Sequence, residues 1–161
     1  MNPWGALIGG MSATLVLTAV LTGATELRVT RIDIPFLLGT AFSPDRSRAR
    51  VIGYALHFVS GVVFATGYWA VFHVIGDANW WLGALFGLLH ALFAGTVLVN
   101  VLLPLVHPRM GTPFTAANET PLLEPPGFML LNYGRATPLV TILAHVIYGA
   151  IVAEIIRLAS T

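Results

Sequence analysis

The sequence predicts an all-α fold, a bundle of four transmembrane helices, from three observations. Hydrophobic residues make up 57% of the 161-residue chain and charged residues only 9%, which leaves too little polar surface to cover a water-soluble globule. Four stretches without Asp, Glu, Lys or Arg reach the ~20 helical residues that cross a hydrocarbon core. Because no stretch alternates as a barrel strand does, helices must satisfy the backbone within lipid.

The four predicted spans belong to one membrane domain, residues 1–161. They cover about residues 4–25, 51–76, 79–106 and 137–158, and the two long loops between them are residues 27–50 and 107–136. The first span is expected to be a retained helix rather than a signal peptide, because no basic residue precedes its apolar run. The chain has no Cys, which excludes disulfides and thiolate metal sites.

The arginines predict the orientation of the bundle. The two long loops contain seven of the eight arginines, and the opposite side contains only Arg157. The positive-inside rule then places the long loops in the cytoplasm, and both termini and the short Asp77 loop outside. Arg46, Arg48 and Arg50 are expected to contact lipid headgroups. A formal net charge of +1 gives no indication of a nucleic-acid partner.

Two pairs of spans resemble each other, which predicts two tandem helical hairpins. The segment "GALIGGMSA" from Gly5 resembles "GALFGLLHA" from Gly83, and "HFVSGVVFA" from His57 resembles "HVIYGAIVA" from His145. Since each hairpin starts outside, a pseudo-twofold axis along the membrane normal would relate the two.

The third span has a small residue at every fourth position. Gly83, Gly87, Ala91 and Gly95 share one helix face, which allows a neighbouring backbone to come close. Packing between helices of one chain is the first interpretation of this stripe. Contact between copies in a homo-oligomer is the alternative.

Four polar residues in the spans are candidates for an intramembrane ligand or polar site: His57, His90, His145 and Asn100. Polar side chains in lipid usually face the bundle interior, so the three histidines are expected to point inward. The first interpretation gives each imidazole a separate local hydrogen bond, for example with Thr141 in the case of His145. No cofactor or metal is predicted on that interpretation. The alternatives are ligation of b-type haem or a metal, and a proton or ligand pathway.

The long loops contain three further predictable features. The apolar segment 32–42 is too short to span, so it is expected to lie in the interface or to re-enter the bundle. Ser43 is expected to cap the second span with Pro44 at its first position, and Thr137 to cap the fourth. The apolar segment 128–133 is expected to sink into the headgroup region.

Some of these loop sequences are distinctive: "VTRIDIPFLLGTAFSPDR", "VHPRM", "LEPPGFMLLNYGRATPL" and "LAHVIYG". They resemble an uncharacterised family of small bacterial four-span integral membrane proteins. The resemblance covers most of the chain, from about residue 11 to residue 153. It implies a multi-pass protein of a bacterial inner membrane, and it implies neither a reaction nor site residues.

Three functional hypotheses follow from the sequence. A structural or accessory membrane subunit, within a homo-oligomer or a larger membrane complex, comes first, because no paired carboxylates, Gly-rich phosphate loop or metal-spaced His/Glu pair indicate an enzyme. A haem- or metal-binding redox protein comes second and rests on His57, His90 and His145. A small-solute transporter or channel acting as an oligomer comes third and rests on the repeat and the small-residue stripe. The lipid bilayer is a partner in all three.

Overall fold

Helices account for 77% of the residues that the structure describes. The structure is a computed structural model that describes residues 1–110 and 123–161, and these ranges contain no β-strand. Its elements are α1 (Trp4–Glu26), α2 (Ile34–Thr40), α3 (Arg46–Ile75), α4 (Trp80–Phe93), a π-helical segment (Ala94–Leu102), α5 (Leu103–Val106), a 3-10 segment (Phe128–Tyr133) and α6 (Thr137–Leu158). The predicted all-α class is confirmed.

Four helices are long and apolar enough to cross a membrane. They are α1, α3, α6 and the continuous helix Trp80–Val106, which consists of α4, the π segment and α5. Large apolar side chains such as Val74 and Leu139 stand exposed on their outer faces, where lipid can accept them. The four helices therefore fit a multi-pass membrane protein, as the sequence predicts.

The helices pack in the spatial order α3, α1, α6, α4, so α1 and α6 occupy the centre. Two adjacent glycines on α1 contact its two neighbouring helices. Gly9 faces the backbone of Val152 on α6, and Gly10 faces the backbone of Val62 on α3. Without a side chain at either position, α1 approaches both helices closely, as small residues allow in lipid.

The small-residue stripe of α4 packs against the chain itself. Gly83 and Gly87 both face α6, where an added Cβ would lie within 2.2 Å of a backbone carbonyl oxygen. Ala91 is fully buried, and Gly95 faces Met129 of the 3-10 segment. The contact between α4 and α6 is therefore set by backbone approach at Gly83 and Gly87.

The two hairpins cross at equivalent glycines of their second helices, with different partners. Gly61 of α3 faces Thr14 of α1, and Gly149 of α6 faces Gly83 of α4. The sequence repeat pairs Gly5 with Gly83, so the contact on α1 lies farther along that helix than the alignment indicates. The hairpins thus share a crossing glycine, but they differ in register and in their central helix, which is the first helix of one hairpin (α1) and the second of the other (α6). The predicted pseudo-twofold, which would exchange α1 with α4, does not describe this packing.

The loop helix α2 lies against the first turns of α3. Asp33 caps α2 by accepting a hydrogen bond from the Phe36 N–H. An added Cβ on Gly39 would lie 1.7 Å from the Ala49 carbonyl oxygen, and one on Gly53 would meet the backbone of α2 at 1.6 Å. The apolar segment that was predicted to lie in the interface or re-enter is therefore a short helix held by backbone contact with α3.

Two predicted helix caps are wrong. The α3 cap is Asp45, whose carboxylate accepts the Arg48 N–H, while the Ser43 hydroxyl accepts the Asp45 N–H. A carboxylate suits this place because it also interacts favourably with the helix dipole. Thr137 is the first residue inside α6, and its hydroxyl lies 2.7 Å from that of Thr30. A contact between the first residue of α6 and the first long loop therefore replaces the predicted cap.

The two arginine-rich loops meet at one end of the bundle. The Arg31 N–H donates to the Tyr133 carbonyl oxygen at 2.8 Å, and the Arg31 guanidinium lies 3.7 Å from the Glu124 carboxylate. Burial and the Glu124 carboxylate raise the pKa of Tyr133 to about 12, against the opposing effect of Arg31. This contact joins the first and third loops on one side, as a four-span topology requires.

Candidate functional site

Three of the polar candidates converge from three helices. His57 lies on α3, His90 on α4 and His145 on α6. The ring centroids of His90 and His145 are 4.7 Å apart, with the ring planes at 80°. All three imidazoles line one cavity of about 430 Å³, which we call the histidine cavity.

The wall of the histidine cavity is mainly apolar. It is formed by α1, α3, α6 and the helix Trp80–Val106, with leucines such as Leu17 and Leu98 facing inward. Besides the imidazoles, its polar lining consists of Thr14, Ser60, Thr141 and Tyr148. A large apolar wall with a few convergent polar groups is the usual make-up of a small-molecule site.

The π segment forms part of the wall of this cavity. Pro104 has no N–H and its ring would clash with the carbonyl of Asn100 four residues earlier, which disfavours regular α-helix here. The Asn100 amide instead donates to the carbonyl oxygens of Gly95 at 2.9 Å and Thr96 at 3.2 Å. Asn100 thus satisfies the widened backbone and does not join the histidines. Such π-helical turns frequently accompany functional sites.

The 3-10 segment closes the loop end of the cavity. Met129 and Leu130 adopt the left-handed conformation, with φ of 51° and 65°, which is costly for side chains of this size. Leu130 is only 2% exposed and lines the cavity, while Phe128 and Leu131 remain exposed. The prediction that the whole segment sinks into the headgroup region is therefore wrong for its central residues, because their burial in the bundle outweighs the backbone strain.

The imidazoles differ in their hydrogen bonds. His145 Nδ1 lies 2.8 Å from the Thr141 carbonyl oxygen and therefore donates a proton to it. In the neutral ring, His145 Nε2 is then an acceptor. His90 Nδ1 lies 3.3 Å from the Tyr68 hydroxyl. The expectation of local bonds holds for these two, with a backbone carbonyl in place of the Thr141 hydroxyl.

Two buried polar atoms of the site have no hydrogen-bond partner among the described residues. They are His57 Nε2 and the Thr141 hydroxyl oxygen. Each such group costs about 1–3 kcal/mol when it stays unpaired. A molecule in the cavity that supplies a donor or an acceptor would recover that free energy.

The geometry does not suit an iron between His90 and His145. Two imidazoles on opposite sides of one iron have ring centroids roughly 6 Å apart, at ~2 Å per metal–nitrogen bond. The observed 4.7 Å is shorter. Across residues 1–110 and 123–161, no group of three or more His, Cys, Asp or Glu side chains is placed to hold a metal ion.

The predicted headgroup arginines lie at the start of α3, away from the histidines. Arg46, Arg48 and Arg50 are all exposed, and the Arg46 guanidinium lies 5.7 Å from the centroid of the Phe36 ring. Their contact with lipid headgroups stays a prediction.

Sequence reasoning missed several residues of the site. Tyr68, Tyr148 and Ser60 line it or bond within it, and the Tyr148 hydroxyl donates to the Gly61 carbonyl oxygen. A signal existed for two of them, because Ser60 and Tyr148 each follow a candidate histidine by three residues and so share its helix face.

The fold and the site together place the chain in the class of all-α, multi-pass membrane proteins, with a histidine-lined cavity among its long helices. No protein-family model matches the chain, and no curated protein and no solved structure matches it. The resemblance to small bacterial four-span proteins accordingly stays a prediction.

Proposed function

We propose that the chain is a multi-pass protein of a bacterial inner membrane that binds a hydrophobic small molecule with a hydrogen-bonding head group. The observation that carries the proposal is the convergence of His57, His90 and His145 on one apolar cavity. The arginine distribution supports an orientation with both long loops in the cytoplasm and both termini outside.

The two parts of the ligand follow from the two kinds of wall. Leucines and valines of the histidine cavity match an apolar body, because burying apolar surface requires no specific partner. His57 Nε2, the Thr141 hydroxyl and His145 Nε2 call for a head group with oxygen or nitrogen atoms. A quinone or phenol with an alkyl chain has this combination.

The cavity rim supports entry from lipid. Leu105 and Val106 line the cavity and are 77% and 75% exposed, so the rim reaches the apolar outer surface of the bundle. A hydrophobic ligand dissolved in the bilayer can pass this rim without crossing water. The position of these residues at the end of Trp80–Val106 supports entry from the leaflet on the loop side.

Calorimetric titration of the purified protein in detergent with decyl-benzoquinone tests the proposal. We expect saturable binding, and dodecane, which lacks a head group, should bind at least tenfold more weakly. Leu98→Trp should abolish binding because the indole fills the cavity that Leu98 lines. Leu92→Trp is the matched control, since Leu92 lies one and a half turns away, is 42% exposed and does not line the cavity.

Histidine variants separate specific binding from partition into the detergent. His57→Phe and His145→Phe keep a planar ring and remove the hydrogen bond, so each should weaken decyl-benzoquinone binding about tenfold, as a lost bond of ~1.4 kcal/mol implies. Equal affinity of these variants and the parent, or equal affinity of the Leu98→Trp and Leu92→Trp variants, would refute the proposal.

The other functional hypotheses have their own tests. A Soret band after addition of haemin that disappears in His145→Phe would favour the haem hypothesis over the one proposed. A role as a structural or accessory subunit, in a homo-oligomer or a larger complex, stays a prediction that size measurement in detergent can check. That role is compatible with binding a small molecule.

A further inference from the structure

A second cavity lies between α1 and α3 on the loop side of the histidines. Its volume is about 310 Å³, and we call it the vestibule. Its polar lining consists of Thr18, Thr22, Thr25, Glu26, Asp33, Arg50, Tyr54 and His57. The charged residues belong to the loop end of the bundle, and His57 is the member that lies farthest along α3 from that end.

The polar lining follows one face of each helix. Thr18, Thr22 and Thr25 of α1 are spaced four and three residues apart, and so are Arg50, Tyr54 and His57 of α3, listed here in chain order. At ~1.5 Å per residue, each row runs about 10 Å along its helix. Polar side chains therefore line the space between α1 and α3 from the loop surface to the depth of His57, although both helices are apolar spans.

His57 is the one polar side chain, among the described residues, that lines both the vestibule and the histidine cavity. The remaining shared residues are Leu21, Ile32 and Ile34, all aliphatic. The imidazole therefore lies at the border between a polar space and an apolar one, and its Nε2 is buried with no hydrogen-bond partner in the described part of the chain.

We propose that the vestibule is a water-filled entry through which protons reach His57 from the loop side. A proton passes from hydronium to the lone pair of the unprotonated ring nitrogen of His57, which leaves a water molecule and an imidazolium. The hydroxyl rows hold the water, because threonine oxygens keep free lone pairs even where their protons are donated to the helix backbone, as Thr18 does to Thr14.

The charges around His57 set the direction of entry. The titratable and charged groups on the surrounding elements are Glu26 of α1, Asp33 before α2, Arg50 and Tyr54 of α3, His90 of α4, and His145 and Tyr148 of α6. Two carboxylates and the Arg50 guanidinium leave the mouth with a net negative charge that attracts cations, whereas the groups beyond His57 are imidazoles and a phenol within an apolar wall. This inference stands independently of the proposed ligand.

Cysteine accessibility tests the water path, and the natural chain has no Cys to interfere. The probe is a cationic methanethiosulfonate, added to membrane vesicles of either orientation. Thr18→Cys and His57→Cys should react from the loop side at rates within about tenfold of Glu26→Cys at the mouth. Val59→Cys should stay unmodified, because Val59 lies two residues beyond His57 on the outer face of α3, where its side chain is 60% exposed and lipid surrounds it. Unreactive Thr18→Cys and His57→Cys, with a reactive Glu26→Cys, would overturn the proposal.

A second measurement tests proton acceptance in the unsubstituted chain. Ring ¹⁵N NMR signals of His57 should shift between pH 8 and pH 4 toward the chemical shifts of a protonated imidazole. His57 signals that stay constant over this pH range would refute proton acceptance even if water reaches the vestibule. Thr18→Phe, which fills the vestibule, should reduce labelling of His57→Cys at least tenfold, and unchanged labelling would contradict this route.

Discussion

Gly87→Ala adds one methyl group where α4 and α6 come closest to the histidines. The added Cβ would lie 2.1 Å from the His145 carbonyl oxygen, whereas ordinary contacts of this kind begin at 3.4 Å. The neighbouring atoms are backbone of α6, which no side-chain rotation can move aside. The two helices must therefore separate by about 1.3 Å, the difference between these two distances.

The size of the effect follows from that separation. A gap of ~0.5–1 Å already forfeits a quarter to a half of the dispersion energy of the facing atoms, and overpacked interiors typically lose about 1–3 kcal/mol. Alanine also favours helix over glycine by up to ~1 kcal/mol, which partly masks this loss. Gly67→Ala on α3 is the matched control, because no atom of residues 1–110 or 123–161 lies within 4 Å of an added Cβ there.

Thermal unfolding in detergent, followed by circular dichroism, gives the comparison. The helix-propensity gain occurs in both variants, so the difference between them isolates the packing cost. We expect Gly87→Ala to melt about 3–9 °C below Gly67→Ala, with Gly87→Leu lower still. Equal melting temperatures for the two alanine variants would show that the stripe does not hold α4 against α6.

Three further predictions concern the loops and the topology. Reporters on the outer side should label the termini and the Asp77 loop and leave the Arg46 loop protected; a labelled Arg46 loop in intact cells would reverse the orientation. Asp45→Ala should lower the free energy of unfolding by about 1 kcal/mol through loss of the α3 cap, and Ser43→Ala should cost less because its hydroxyl accepts the Asp45 N–H ahead of the helix; a larger loss for Ser43→Ala would contradict the Asp45 cap. Because the pKa of Tyr133 is about 12 in the folded chain and about 10 when unfolded, stability should fall between these pH values, and Tyr133→Phe should remove that part of the fall.

The four long helices were predictable because lipid imposes one strong requirement on every residue of a span. The short helix α2 was harder to foresee. Seven residues do not hold a helix in isolation, and α2 depends on backbone contact at Gly39 and Gly53, which only the tertiary structure shows. The sequence repeat could likewise not predict the register between the hairpins, because Gly, Ala and Leu recur at compatible positions along any membrane-spanning helix.

The inward direction of the histidines could be inferred from the cost of burying an imidazole in lipid without hydrogen bonds. Which partner each imidazole finds could not, because the Tyr68 hydroxyl that meets His90 comes from another helix. Asn100 shows the same difference. Its polarity suggests a site, yet its amide hydrogen-bonds the helix backbone within the π segment. Pro104, four residues later, is the sequence signal for such an irregular backbone.

The histidines lie where the bundle changes from tight to open packing. On their outer side, α3 and α4 are joined by aromatic contacts, with ring centroids of Phe72 and Phe86 5.3 Å apart and those of Tyr68 and Phe86 5.6 Å apart. On the loop side, residues of the π segment such as Leu98 line the histidine cavity, and the vestibule lies between α1 and α3. Under the two proposals, the aromatic contacts would stop both a ligand entering from lipid and a proton entering from the loop surface at the depth of the histidines. The two proposals thus place ligand and proton within reach of one imidazole, that of His57.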